Sequence, residues 1–310
     1  MPLAEEYTAM FDQLAEQEPT PAIWAMTTAQ ARATYSAMRP TIESISVGSC
    51  EDRTITGTLG DIPIRIYTPE GEGPFGLLMN FHGGGWVIGD LDTADAVCRQ
   101  LTTLANVVVI SVGYRKAPEA PYPAAVIDAY DATQWVSDHA QELRGNGKLG
   151  VTGESAGGNL SAVVCQKARD DNGPKIDFQC LLYPVTDCDF NRASYRENGE
   201  GYLLETKTMT WFWDHYCADH KQRQEAYACP LRAADLAHLP PALVITAEFD
   251  PLRDEGEAYA EALRAAGNAA TSVCYDGLVH DFMATAAAFE CSAVALMDTA
   301  GVIKQHLTQN

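Results

Sequence analysis

One serine stands in a pattern that favours nucleophilic chemistry. Residues 153–157 read Gly-Glu-Ser-Ala-Gly, which fits G-x-S-x-G with Ser155 at its centre. The pattern follows an apolar run at 148–152 and precedes a helical stretch from Asn159, the strand-to-helix setting in which a sharp turn exposes a serine hydroxyl. A serine that caps a helix N-terminus would look similar over three residues. Ser155 is the candidate nucleophile.

A serine hydroxyl is a weak nucleophile, so it needs a base and a group that orients that base. His280 and Asp250 each follow an apolar run, at the strand ends where open α/β sheets place their sites. Glu248 and Asp254 compete with Asp250 as the acid. Of the seven histidines, only His280 both follows a predicted strand and comes after Ser155 and Asp250 in the order serine, acid, histidine. The others are His82, His139, His215, His220, His238 and His306. We therefore predict His280 as the base and Asp250 as its partner.

The glycine-rich segment 82–86, His-Gly-Gly-Gly-Trp, predicts donors for a developing oxyanion. Glycines let the backbone turn so that the amides of Gly83 and Gly84 face a substrate carbonyl, and the amide of Ala156 at a helix start would be a third donor. Such donors can each contribute about 10²–10³ in rate. His82 is expected to brace this loop through a backbone hydrogen bond and not to transfer protons.

These residues must be positioned by a βαβ series. A hairpin is predicted at 53–59 and 62–67 around Gly60-Asp61, and short apolar runs follow with helical stretches between them. The runs are 76–81, 107–112, 148–152, 178–183, 242–247 and 271–275. Runs this apolar suit strands that are buried on both faces, so we expect a mostly parallel sheet covered by helices, with the hairpin as its antiparallel edge.

Two segments fall outside the βαβ series. Residues 1–45 lack strand alternation and predict helices. About 55 residues separate the run ending at Tyr183 from the next, far more than one crossover needs, and this aromatic insertion is expected to pack on the N-terminal helices. We predict cap helices at 1–45, a core at 46–187 and 226–310, and a cap insertion at 188–225. The candidate pocket residues are Trp86, Trp211 and Phe212.

Composition excludes several classes of protein. With 42 acidic and 21 basic side chains the net charge is −21, which opposes binding to nucleic acid and to anionic membranes. No run of 18 apolar residues predicts a membrane span, and an acidic N-terminus does not resemble a secretory signal. Nine scattered cysteines with no C-x-x-C pair favour reduced thiols over disulfides or zinc. We expect a cytoplasmic protein with no metal and no cofactor.

Together these motifs resemble the bacterial hormone-sensitive-lipase-like (family IV) esterases over nearly the whole chain. Further matching segments are 114–119 (Tyr-Arg-Lys-Ala-Pro-Glu), 121–125 and 250–256. The resemblance implies an α/β-hydrolase core, with a mostly parallel eight-stranded sheet flanked by helices and a helical cap. It implies hydrolysis of short- to medium-chain acyl esters by the residues named above. Dimers are common in the family, so a homodimer is an open expectation.

Three positions depart from the family pattern. Glu154 stands where the larger subgroup has Asp, Lys116 where Leu is usual, and Asp281 where Gly often follows the histidine. None removes a catalytic group. Glu154 is longer than Asp by one methylene and is expected to alter the hydrogen bonds that brace Ser155.

Two other functions stay open at this point. The same triad could act on amides or peptides, because a triad alone does not choose the leaving group. A non-catalytic receptor on this fold is the alternative from a different class, since plant hormone receptors that resemble the family lack the catalytic histidine. The presence of His280 argues against a receptor.

Overall fold

A computed structural model describes residues 2–18, 20–39 and 45–308. Within them, eight strands form one sheet in the order β1-β2-β4-β3-β5-β6-β7-β8. The strands are β1 Ser49–Gly57, β2 Gly60–Thr68, β3 Phe75–Phe81, β4 Val107–Val112, β5 Gly145–Glu154, β6 Phe178–Leu182, β7 Ala242–Phe249 and β8 Ala270–Val279. The pairs β1–β2 and β2–β4 are antiparallel and the remaining pairs are parallel, which confirms the predicted sheet.

The hairpin turn differs from the prediction by two residues. Gly57 pairs with Gly60, so the turn lies at Thr58 and Leu59 and not at Gly60-Asp61. Gly60 has a φ of 119°, a conformation that only glycine adopts without strain. The glycine therefore follows the turn instead of forming its centre, a hairpin arrangement with its left-handed residue at the start of the second strand.

Helices cover both faces of the sheet. They are α1 Glu5–Ala15, α2 Thr28–Met38, α3 Asp95–Ala105, α4 Ala124–Asp138, α5 Ala156–Asp170, α6 Ala193–Asn198, α7 Thr206–Tyr216, α8 Arg253–Ala265 and α9 Glu290–Thr308. Successive side chains of the central strands point to opposite faces of the sheet and enter two different cores. In β3, Met79 belongs to the core on the face covered by α4, α5 and α8, whereas Leu78 belongs to the core on the face covered by α3 and α9. Burial on both faces explains why these strands read as continuous apolar runs.

Two segments lie outside this three-layer core. One is the N-terminal segment with α1 and α2; the other is the insertion between β6 and β7, with α6 and α7. They contact each other, because Trp24 Nε1 donates to Glu205 Oε2 at 3.0 Å and the ring of Phe11 meets that of Tyr202 at 6.2 Å. Of the predicted helical region 1–45, residues 1, 19 and 40–44 lie outside the described residues.

None of the helices in the described ranges has the length and apolar character needed to cross a membrane.

Candidate active site

Ser155 sits on a strained turn between strand and helix. Strand β5 ends at Glu154 and α5 begins at Ala156, so one residue makes the whole turn. Its φ of 55° and ψ of −113° are costly for a residue with a side chain and persist only where the surroundings impose them. The Ser155 amide donates to Leu182 O at 2.9 Å, and the Val185 amide donates to Ser155 O at 3.2 Å. Neighbouring backbone thus fixes the turn.

The glycines beside this turn are required by close packing. A Cβ on Gly157 would lie 1.8 Å from Phe81 O, and one on Gly153 would lie 2.4 Å from Gly157 O. Side chains at these positions would therefore push α5 away from β3. The two glycines of the G-x-S-x-G pattern are therefore required because the start of α5 lies so close to β3 and β5.

His280 and Asp250 form a buried pair. His280 Nδ1 donates to Asp250 Oδ2 at 2.7 Å, and the second carboxylate oxygen accepts the Leu252 amide at 2.8 Å. Asp250 follows β7 and His280 follows β8, so adjacent parallel strands deliver both side chains to one edge. Burial opposes the imidazolium, but the charge of Asp250, its hydrogen bond and the charges of Asp281 and Glu154 together outweigh burial and raise the pKa of His280. This arrangement leaves Nε2 as the nitrogen that can exchange a proton.

The rival carboxylates have other partners. Glu248 Oε2 accepts the Gly277 amide at 2.7 Å, and Asp254 Oδ2 accepts the Ser194 amide at 2.8 Å. Of the three acids considered from sequence, Asp250 is the one in hydrogen-bond contact with the imidazole of His280.

The glycine-rich loop is held by His82. Burial lowers the pKa of His82 to about 4, so the ring is neutral at pH 7, and its Nδ1 donates to Gly83 O at 2.7 Å. Tyr114 OH donates to His82 O at 2.7 Å and its ring stacks on the imidazole. Gly84 has a φ of 109°, and a Cβ there would lie 2.4 Å from Ile88 O. The loop therefore has one well-defined path.

The amides expected to bind the oxyanion have few competing acceptors. In the described chain, no hydrogen bond outside helices and strands uses the amide of Gly83 or Gly84 as donor. Ala156 is the first residue of α5, and the amide of a first helical residue has no intrahelical acceptor. The amides of Gly83, Gly84 and Ala156 are the three donors that the sequence analysis predicts for an oxyanion.

A cavity of about 130 Å³ brings the predicted residues together. From the core it is lined by Gly83, Gly84, Gly85, Ile88, Ser155, His280 and Asp281. From the N-terminal segment and the insertion it is lined by Ile23, Tyr35, Met38, Leu203, Leu204, Thr208 and Phe212. Apart from Ser155, His280, Asp281 and Thr208 the side chains of the wall are apolar, which suits an acyl chain.

Of the three pocket residues predicted from sequence, Phe212 lines the cavity. Trp86 and Trp211 are not among its lining residues in the described part of the chain. Trp86 is fully buried and its ring stacks on Tyr216 at 4.1 Å. The Trp211 ring packs on His215 at 4.3 Å and against the Phe212 ring at 5.4 Å. The structure therefore brings Phe212 to the cavity wall but not these two tryptophans.

Arg39, Asp281 and Glu154 form a charged group next to Ser155 and His280 that the sequence analysis did not connect. Arg39 Nη2 forms an ion pair with Asp281 Oδ2 at 2.9 Å, and Asp281 directly follows His280. Glu154 is buried next to Ser155, where its Oε1 accepts the hydroxyl of Tyr183 at 2.9 Å. Burial and the Asp281 charge raise the pKa of Glu154 to about 7. Two of the family departures, Glu154 and Asp281, thus interact with each other.

The signal for this group was partly present in the sequence. Glu154 and Asp281 were recognised as unusual, but nothing in the spacing of Arg39 linked it to them. Lys116, the third departure, is not among the lining residues of the cavity; its Nζ donates to Gly89 O and burial lowers its pKa.

One group of three side chains in the described ranges has the spacing of a metal site. It comprises Asp187, Cys188 and Cys229. None of the three lines the cavity that contains Ser155 and His280.

Comparison with known proteins agrees with this geometry. Residues 78–284 match a family model described as the α/β-hydrolase fold. The chain is 44% identical over 265 residues to the carboxylic ester hydrolase LipN of Mycobacterium tuberculosis, covering 83% of this chain and 70% of that protein. It is 37% identical over 253 residues to an ethyl acetate hydrolase of Pseudomonas putida, covering 79% of each.

A solved structure extends the likeness to the whole chain. A thermostable esterase from Pseudomonas putida ECU1011 superimposes with a TM-score of 0.95 at 39% identity, covering 100% of this chain and 99% of that one. The chain therefore belongs to the α/β-hydrolase fold family and, within it, to the bacterial hormone-sensitive-lipase-like esterases. It is a carboxylic ester hydrolase, as the sequence predicted.

Proposed function

We propose that this carboxylesterase hydrolyses short-chain acyl esters through an acyl-enzyme on Ser155. The observation that carries the proposal is the 2.7 Å contact between His280 and Asp250 beside a cavity that His280 shares with Ser155. A base oriented by a buried carboxylate and facing a serine is the arrangement that activates a hydroxyl. Both hydrolytic steps then use the same imidazole.

In the first step, the Ser155 hydroxyl attacks the ester carbonyl while His280 Nε2 takes its proton. Asp250 stays ionised and stabilises the imidazolium. The amides of Gly83, Gly84 and Ala156 hold the oxyanion, and the proton on His280 passes to the departing alcohol.

In the second step, His280 takes a proton from water, which attacks the acyl-enzyme. A second tetrahedral intermediate forms in the same amide site, and its collapse returns the proton to Ser155. The reaction needs only water as co-reactant, in keeping with the expectation of no cofactor.

The preference for short chains rests on the size of the cavity. At about 130 Å³ it is smaller than the roughly 300–1,000 Å³ that drug-sized ligands occupy. A relative named ethyl acetate hydrolase supports the same choice. Medium chains, the other part of the sequence expectation, would need the covering segments to move.

We also propose that the N-terminal segment (1–45) and the insertion (188–225) act as the cap, on core parts 46–187 and 226–310. Both contribute residues to the cavity wall and contact each other through Trp24 and Glu205. A cytoplasmic location and a homodimer remain predictions from the sequence and the resemblance.

The test is hydrolysis of p-nitrophenyl esters across a ladder of acyl lengths, with the matching anilides as amide substrates. We expect turnover of short esters, slow or no cleavage of anilides, and loss of most activity in Ser155→Ala and in His280→Ala. Circular dichroism would show whether each variant folds. Retained activity in folded Ser155→Ala would exclude Ser155 as the nucleophile, and faster anilide cleavage would favour an amidase.

A further inference from the structure

Two cysteines lie together where the insertion leaves and rejoins the core. Cys188 follows β6 and Cys229 lies shortly before β7. Their sulfur atoms and a carboxylate oxygen of Asp187 all lie within 4.8 Å of one another. We refer to Cys188 and Cys229 as the thiol pair. The established ester hydrolysis makes no use of it, since neither residue lines the catalytic cavity.

The thiol pair is reached from one side only. A surface cleft of about 670 Å³ is lined by Cys188 together with Arg223, Arg232 and His220. Cys229 is completely buried and is not among the residues lining that cleft in the described ranges. A small reagent that enters the cleft therefore meets the Cys188 sulfur first, with the Cys229 sulfur directly behind it.

The charges around the pair oppose a metal cation. Asp187 Oδ1 accepts Arg232 Nε at 2.6 Å, and Asp187 Oδ2 accepts Arg192 Nη2 at 2.8 Å. Both carboxylate oxygens are thus engaged by guanidinium groups, which would repel a divalent ion. The same positive charges stabilise an anionic sulfur, and thiolates are the reactive form of cysteine.

Cys188 is the member of the pair that is disposed to ionise. The neighbouring Cys229 thiol and the charges of Arg232 and Arg223 lower the pKa of Cys188, against burial and the charge of Asp187. The partner behaves in the opposite way: the neighbouring Cys188 sulfur and burial raise the pKa of Cys229. The Cys188 sulfur is therefore suited to attack an oxidant first, and the Cys229 sulfur to attack Cys188 in a second step.

We propose that Cys188 and Cys229 are a redox modification site that forms a reversible intramolecular disulfide with low-molecular-weight disulfides of the glutathione class. The Cys188 thiolate attacks one sulfur of the small disulfide and expels one small thiolate. Cys229 then attacks the Cys188 sulfur, loses its proton to solvent and expels the second thiolate. The protein gives up two electrons and two protons, and one small disulfide becomes two thiols.

The crosslink would join two loops that already share one anchor. Asn159 Nδ2 donates to Val185 O and to Ala228 O, each at 3.0 Å. Asn159 lies in the first turn of α5, which starts directly after Ser155. A disulfide between residues 188 and 229 would close the whole insertion into a loop of roughly 40 residues, which restricts the unfolded chain and raises stability. We expect the Tm to rise by several degrees on oxidation.

The test starts from fully reduced wild-type protein. The protein is incubated with glutathione disulfide, the remaining thiols are blocked with N-ethylmaleimide, and the cysteines are mapped by peptide mass spectrometry. We expect a Cys188–Cys229 crosslinked peptide that dithiothreitol releases, and N-ethylmaleimide labelling of reduced Cys188 faster than that of exposed Cys50. A disulfide that maps to other cysteines, or no disulfide together with slow labelling of Cys188, would overturn the proposal.

Single variants separate the two roles. In Cys229→Ser we expect the reaction to stop with a glutathione adduct on Cys188, and in Cys188→Ser we expect neither an adduct on Cys229 nor a rise in Tm. Cys50→Ser is the matched control and should behave as wild type. An adduct on Cys229 in Cys188→Ser would contradict the order of attack. Because mass is the readout, the result does not depend on esterase activity.

Discussion

The catalytic cavity has two walls of different character. The core wall carries Ser155, His280 and the glycine loop on the ends of strands, where a Cβ added at Gly84, Gly153 or Gly157 would lie within 2.5 Å of backbone atoms. The covering wall, from the N-terminal segment and the insertion, is made of side chains such as Met38, Leu203 and Phe212. Met38 is largely exposed and Leu203 partly so. The first wall is fixed by backbone packing and the second by side-chain contacts.

This difference predicts how function divides between the two walls. Groups that must stay within hydrogen-bond distance of the reacting atoms lie where the backbone cannot move without breaking the sheet. Groups that only need to fill space around an acyl chain lie where a side chain can change at small cost. Substitutions in the core wall should therefore affect kcat, and those in the covering wall should affect KM and chain-length preference.

The largest effect is expected from Asp250→Asn. The amide keeps the shape of the side chain but removes the charge that stabilises the His280 imidazolium, and it allows the wrong tautomer. We expect kcat to fall about 10⁴-fold, as such substitutions do in serine hydrolases, with little change in KM. Steady-state kinetics on a short p-nitrophenyl ester measures both constants.

The matched control for the acid is Glu248→Gln. Its side chain lies at the end of the same strand and accepts the Gly277 amide, which a glutamine oxygen can still accept. We expect kcat to stay within a few fold of wild type. A larger loss in Glu248→Gln than in Asp250→Asn would mean that the acid has been misassigned.

The next effect concerns the glycine loop. In Gly84→Ala the added Cβ would lie 2.4 Å from Ile88 O at a φ of 109°, so the loop must shift and carry the Gly83 and Gly84 amides with it. We expect kcat to fall about 10²–10³-fold, as on loss of one oxyanion donor. Gly301→Ala in α9 is the control, because its Cβ meets nothing within 4 Å; wild-type rate in Gly84→Ala would contradict the rigid core wall.

The core wall was predictable because its determinants are local in sequence. Ser155 with its glycines, the 82–86 loop, and the apolar runs before Asp250 and His280 each occupy a short stretch, and parallel strands bring their ends to one edge. The fold class followed from the same runs. The turn between β1 and β2 was misplaced because one glycine serves equally well within a turn or just after it.

The covering wall was not predictable to the same degree. Trp211 and Phe212 are neighbours in sequence, yet one lines the cavity and the other does not, because a helix turns by about 100° per residue. The contact of Arg39 with Asp281 joins residues far apart in the chain without a periodic signal. Sequence indicated which segments cover the site but not which side chains they direct into it.

A third prediction concerns the buried carboxyl of Glu154 and the pH dependence of stability. Its pKa is raised from 4.5 to about 7 by burial and by Asp281, while Arg39, Tyr183 and His280 oppose the shift. The folded protein therefore binds a proton more tightly than the unfolded chain, so this group's contribution to stability falls as pH rises from about 4.5 to 7. The slope can reach about 1.4 kcal/mol per pH unit.

Glu154→Gln tests this directly. Glutamine can accept the Tyr183 hydroxyl but does not titrate, so the difference in Tm between variant and wild type should move in the variant's favour from pH 5 to pH 8. Glu261→Gln, on the exposed side of α8, should show no such trend. A constant difference across this range for Glu154→Gln would mean that Glu154 is ionised throughout.

The smallest effect is expected in the covering wall, from Phe212→Ala. The Phe212 ring packs against Gly85, where an added Cβ would lie 2.1 Å from it, so removing the ring enlarges the cavity next to the oxyanion loop. We expect the preferred acyl chain to lengthen, with a KM for short esters several-fold higher and kcat changed less than in Gly84→Ala. The acyl-length ladder measures both constants.

Trp211→Ala is the matched control in the same helix. It removes a larger ring that packs on His215 and against the Phe212 ring but does not line the cavity, so with Phe212 still in place the length preference should stay as in wild type. If both variants shift the preference equally, the effect comes from loosening α7 and not from the cavity wall. A shift confined to Phe212→Ala would show that one side chain of the covering wall sets acyl length while the core wall sets the rate.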